Sequence, residues 1–197
     1  MTKKEILVIT AHPDDETIWA GGTLLKSSFK KTIICLCRKN DKDRFPKFNK
    51  ACEILHATGY ISDLDDFENG YYKEISDEDI INRILSITKN KKYDYLFTHG
   101  KNGEYGHIRH REIHKTVKEM LNKKLLLVKK VFFFSYSPKK NNFQGYARYN
   151  SNADKLIKLN SNQLLMKKKI IKDIYGYSEG GFEEKSSDKI EAFNIWK

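Results

Sequence analysis

Proline and cysteine are scarce in this 197-residue chain, with three of each. No apolar run approaches the length that crosses a bilayer. Few prolines beside 11 tyrosines and 11 phenylalanines exclude a disordered chain. Cys35, Cys37 and Cys52 form neither a CxxC motif nor an even set, which excludes a disulfide framework. All three read as reduced core thiols. Cys35 and Cys37, two apart in an apolar run, are expected on opposite faces of a strand. The apolar part of residues 1–10, MTKKEILVIT, is too short for a secretory leader. A cytoplasmic protein without membrane insertion is expected.

Positive charge is what the chain has in excess, a formal +11. A basic balance raises the question of nucleic acid. The lysines are dispersed, however, and alternate with Leu and Ile in stretches such as KEMLNKKLLLVKK. That is the pattern of solvated faces, and no dedicated nucleic-acid partner is expected. The length suits one domain over residues 1–197, with no linker or repeat.

Apolar periodicity predicts strands at 5–10, 32–37, 61–64, 93–98, 128–136 and 155–159. Helices are predicted at 16–28, within 43–57, and at 77–89, 108–121 and 161–174, with a last short one over DKIEAFNIW. Gly21 and Gly22 are read as allowing close packing on a sheet, Gly59 as a helix stop and Ser161 as an N-cap. The early strand–helix alternation implies an α/β, Rossmann-like three-layer sandwich with a mostly parallel sheet. In such folds ligands bind at the carboxyl ends of the strands.

Two polar clusters fall there. His12, Asp14, Asp15 and Glu16 follow the first strand, while His99, Glu104, His107, His110 and His114 follow the strand at 93–98. Acids and imidazoles at the end of an apolar run either face solvent or hold something positive. Imidazole with carboxylate suits zinc, and two histidines plus one carboxylate leave positions open for water and substrate. Asp14 is placed to serve as a base, and His107 to stabilise an oxyanion. On residues alone, a metal hydrolase and an uncommitted α/β domain both stay open.

AHPDDE at 11–16 and GEYGHIRHREIH at 103–114 resemble the two signatures of the PIG-L/LmbE-like zinc-dependent N-deacetylases, in the right order. The resemblance implies removal of acetyl from an N-acetylglucosamine-type sugar or conjugate, a small-molecule partner. It implies zinc held by His12, Asp15 and His110, with iron(II) tolerated by the same donors. It also implies Asp14 as general base and His107 at the oxyanion. Glu16 orients the turn or binds substrate. Arg44 is a substrate contact or a surface charge; Asp65 and Asp66 bind sugar hydroxyls or make a turn. His99 and Glu104 line the pocket or support the histidines. Ile108-Arg109 stands where many members have Pro-Asp, so Arg109 adds charge beside the site and leaves the substrate open. The loop SPKKNNFQGYARYNSN is expected to shape the substrate cavity. His56 is read as structural. A non-sugar amide hydrolase and a non-catalytic metal- or nucleic-acid-binding module remain alternatives, and a homo-oligomer is allowed.

Overall fold

Five strands alternate with helices in the order the periodicity predicts. In chain order these are β1 (Glu5–Thr10), α1 (Asp15–Lys26), β2 (Lys30–Cys37), α2 (Arg44–Ile54), β3 (Ala57–Leu64), α3 (Asp77–Thr88), β4 (Lys92–Thr98), α4 (Ile108–Asn122) and β5 (Leu127–Phe134). The remainder adds β6 (Tyr136–Pro138), β7 (Ala147–Tyr149), β8 (Lys155–Lys158), α5 (Ser161–Lys169), a π-helical turn (Ile170–Ile174), α6 (Phe182–Ser186) and β9 (Ile190–Ile195). The structure is a computed structural model and describes residues 3–66, 73–139 and 145–196.

Among the described residues the main sheet has seven strands, in the order β3-β2-β1-β4-β5-β9-β8. The first five are parallel, and β9 and β8 close the edge antiparallel. Each inner strand is apolar on both faces because helices cover both. One core lies under α1, α2 and the π-helical turn, around Trp19, Phe48 and Phe193. The other lies under α3 and α4, around Ile80, Ile113 and Val117. This is the predicted three-layer α/β sandwich. After β1 the chain builds outward through β2 and β3, then crosses back to β4 on the other flank. The order therefore reverses between β1 and β4, and the loops that diverge there leave a crevice at their carboxyl ends.

Several local expectations are corrected. DKIEAFNIW forms β9, not a helix, because it pairs with both β5 and β8 and would otherwise leave the edge of β5 unsatisfied. The predicted strand at 128–136 breaks at Ser135, whose N–H bonds to the Ala192 carbonyl, and Tyr136 starts a separate ribbon with β7. Asn160, not Ser161, caps α5, in a reciprocal capping box with Gln163. Gly59 does not stop α2. His56 does, at φ 51°, while Gly59 lies in β3 against α2, where a Cβ would fall 2.7 Å from Cys52 Sγ. Gly22 of α1 allows close approach, but of Leu159: a Cβ there would lie 2.4 Å from that side chain.

Cys35 and Cys37 do serve opposite cores. A regular strand would put residues two apart on one face. The register of β2 against β3 shifts between them, and that irregularity turns Cys37 over. The three thiols are free and buried. Among the described residues, no helix is long and apolar enough to cross a membrane.

Candidate active site

The turn after β1 is built by its own acids. Asp14 stands at φ 125°, outside the regions an L-residue favours. Glu16 stabilises that turn, accepting from the Asp14 N–H at 3.1 Å, the Thr17 hydroxyl at 2.6 Å and the Tyr175 hydroxyl at 2.7 Å. Glu16 is fully buried, so the structure places it behind the turn and not on a substrate-facing wall. Burial raises its carboxyl above the ordinary value.

Asp15 opens α1 and is tied on both oxygens. Oδ1 accepts from Trp19 Nε1 at 2.8 Å, and Oδ2 accepts from the His12 N–H at 2.8 Å. Oδ2 also lies 3.4 Å from His12 Nδ1 and 3.4 Å from His110 Nε2. The two imidazole nitrogens are 3.2 Å apart. Three donors thus form a nearly equilateral triangle. Tetrahedral zinc with bonds of about 2.0–2.1 Å sets its ligand atoms roughly 3.3–3.4 Å from one another. The triangle has the size of one face of such a site.

The far nitrogens of both rings are engaged by carboxylates. His110 Nδ1 lies 2.5 Å from Glu104 Oε2, and His12 Nε2 lies 3.1 Å from Asp66 Oδ2. If each far nitrogen donates its proton, two lone pairs and a carboxylate oxygen converge. Such convergence is repulsive unless a cation or a proton sits between them. The charges agree. Burial opposes ionisation of Asp15, but His110 and His99 hold it well below the usual carboxylate range. Burial likewise opposes charge on His110, yet Asp15 and Glu104 lift it to about 10. The cluster attracts positive charge at its centre. Other groupings of potential ligand atoms share these residues: His12 with His107 and His110, Asp15 with His99 and His110, and His12 with Cys37 and Asp66.

His99 and Glu104 lie behind the triangle. His99 Nε2 accepts from the Ala11 N–H at 2.9 Å, so Nδ1 carries the ring proton toward Glu104 Oε2, 2.9 Å away. Glu104 also accepts from the Gly100 N–H at 2.7 Å. Burial would raise this carboxyl, but His99 and His110 outweigh it and hold it at about 2. Both residues are fully buried and do not line a cavity; Glu104 holds the His110 ring from behind. His114 steadies the same loop through its Nδ1, 2.9 Å from the His99 carbonyl.

Asp14 faces the other way, into a cavity of about 380 Å³ lined by His12, Arg38, Asp66, Tyr105, His107 and Tyr177 among others. Arg44, the first residue of α2, is on that lining too, with Nη1 3.5 Å from Asp14 Oδ2. The Tyr177 hydroxyl donates to the same oxygen, and Arg44 stacks 4.9 Å over the Tyr177 ring. Burial and the adjacent Asp15 push Asp14 up to about 8, against the pull of Tyr177 and Arg44. His107 is the N-cap of α4, and its Nδ1 accepts from the Arg109 N–H at 3.2 Å. Its Nε2 therefore bears the proton. Burial, with His110 and His12 nearby, pushes His107 down to about 3 and keeps it neutral.

Two further expected substrate residues also stand away from this cavity. Asp65 is half exposed and pairs with Lys73 at 3.6 Å. Arg109 is buried and bonds to Glu112 one turn on and to the Lys73 carbonyl, so its charge is spent inside the protein. Of the loop SPKKNNFQGYARYNSN, expected to shape the substrate cavity, residues 140–144 lie outside the described residues. Sequence reading missed Tyr177, Tyr175, Trp19 and Arg38. The first two come from the carboxyl-terminal third, just after the π-helical turn Ile170–Ile174, where no motif marks them.

A protein of Acanthamoeba polyphaga mimivirus, "Uncharacterized protein L374", is 30% identical over 128 residues. The match takes in 57% of this chain and 56% of that protein, so the chain spans little more than half of its relative's length. The family model for PIG-L, GlcNAc-PI de-N-acetylase, matches residues 7–121, which run from β1 through α4 and contain both clusters. With more than half of its length matched, the chain belongs to the PIG-L family of de-N-acetylase-type hydrolases.

Proposed function

We propose that this chain is a zinc-dependent hydrolase that removes the acetyl group from an N-acetylglucosamine-type sugar or conjugate, releasing acetate and a free amine. The observation that carries the reading is the triangle of His12 Nδ1, Asp15 Oδ2 and His110 Nε2, with sides of 3.2, 3.4 and 3.4 Å. These three residues would hold the metal. Zinc bound there acidifies a water molecule and polarises the amide carbonyl; iron(II) supplies the same chemistry.

The chain's own groups do the rest. Asp14, one residue from the metal ligand and open to the cavity, takes the proton of the attacking water and delivers it to the departing nitrogen. His107, neutral with Nε2–H toward the cavity, donates a hydrogen bond to the oxygen on which charge develops. Water adds to the carbonyl carbon, the C–N bond breaks, and the nitrogen leaves protonated. Tyr177 and Arg44 hold Asp14 in place. A cavity wall of arginines, acids and tyrosines offers donors, acceptors and flat rings to a hydroxyl-rich ligand. The reading takes residues 1–197 as one domain working in a reducing compartment, consistent with three free thiols.

The test is Asp14→Asn beside the parent, each assayed for zinc content and for acetate released from N-acetylglucosamine glycosides. Retained zinc with turnover reduced at least about 100-fold is expected of a lost general base. Parental turnover in the variant would remove Asp14 from the mechanism. Release of acetate only from simple acylated amines would move the substrate class away from sugars.

A further inference from the structure

Asp66 lies two residues past the end of β3 and its side chain is only 7% exposed, whereas that of its neighbour Asp65 is 50% exposed. Its Oδ2 is 3.1 Å from His12 Nε2, the nitrogen that points away from the proposed metal position. The same oxygen accepts from Arg38 Nη2 at 2.8 Å and Nε at 3.1 Å, a forked grip. Arg38 itself stands at φ 74°, one residue past the irregularity in β2. A non-glycine residue held there is strained. The strained turn aims the guanidinium at Asp66. The Cys37 thiol, within 4.8 Å of ligand atoms of both His12 and Asp66, packs the inner wall.

We infer that Arg38 and Asp66 form a positioning relay for His12, the counterpart of Glu104 behind His110. Asp66 receives the Nε2–H of His12 and so leaves the Nδ1 lone pair directed at Asp15 and His110. Arg38 holds that carboxylate oxygen beside His12. The inference rests on the metal-dependent reading above, and it reassigns Asp66 from the sugar contact that the sequence suggests to a residue acting through a metal ligand.

The experiment is a zinc titration against a chromophoric chelator, using the full chain and the variants Asp66→Asn, Arg38→Lys and Asp65→Asn, with thermal unfolding to confirm that each is folded. Asp66→Asn is expected to weaken zinc binding on the order of 10–100-fold, the effect of losing a carboxylate behind a ligating histidine. Arg38→Lys, which keeps charge but loses the fork, weakens it in the same direction. Asp65→Asn leaves zinc affinity at the parental value. If Asp66→Asn keeps parental zinc affinity and instead raises KM for an N-acetylglucosamine glycoside, Asp66 touches substrate and the relay is wrong, while the metal reading stands. If the parent binds no zinc, both are overturned. Should Asp66→Asn fail to fold, the folded Arg38→Lys variant decides: parental zinc affinity there refutes the relay.

Discussion

Replacing Glu104 with Gln tests how much of the fold's stability depends on charge inside the site. Glu104 is fully buried and bonds to His99, His110 and the Gly100 N–H. Its carboxyl lies at about 2 in the folded protein, against 4.5 for an unperturbed one. At about 1.36 kcal/mol per pH unit, that difference contributes about 3 kcal/mol at neutral pH, by linkage. For a group whose folded value is depressed, the contribution is fully present above the unfolded value and is lost as pH falls toward the folded one. The parent should therefore lose this part of its stability between about pH 4.5 and pH 2. Glu104→Gln lacks the charge at every pH. Urea unfolding in chelator-treated buffer should show the variant weaker by about 3 kcal/mol at pH 7, a large share of the roughly 5–15 kcal/mol typical of a domain. The gap should narrow as the pH falls through that window. A gap that is absent at pH 7, or constant from pH 7 to 3, would refute the argument.

Two further outcomes follow from the same geometry. Lys167 and Glu191 are both fully buried and 2.8 Å apart, with Glu191 also accepting from the N–H groups of Gly22 and Thr23. Lys167→Met strands a buried carboxylate and should cost about 3–5 kcal/mol, much of which Lys167→Met/Glu191→Gln restores, as denaturant midpoints will show. Gly103 sits at φ 66°, and a Cβ there would lie 2.5 Å from the His107 carbonyl oxygen. Gly103→Ala should lose at least about 1–2 kcal/mol by thermal unfolding and displace His107, lowering turnover more than zinc affinity. A variant with parental melting temperature and turnover would count against the tight loop as the support of His107.

Most of the architecture was legible because it rests on local pattern. Inner strands such as ILVI and TIICLC announce themselves by apolar content, and α3 by its stripe of Ile80, Ile84 and Thr88. Where the reading failed, the deciding partner was remote. β9 looks helical in isolation and becomes a strand because β5 and β8 offer it ladders on both sides. His56 and Gly59 exchanged roles because the close packing of Cys52 and Phe48, not the end of the helix, demanded a glycine.

The candidate site divides along the same line. By itself the sequence determined which donors exist, that they follow β1 and β4, and that an acidic turn and a histidine-rich helix start must share one rim of a parallel sheet. Those facts depend on spacing within a turn and on the direction every parallel strand runs. Only the tertiary structure decided that His12, Asp15 and His110 close to a triangle while His99 and Glu104 stand behind it. It also turned Arg109 inward and brought Tyr177 onto Asp14 across 163 residues. Such contacts are set by burial and by the satisfaction of buried charge, which depend on what the rest of the chain brings to the same place.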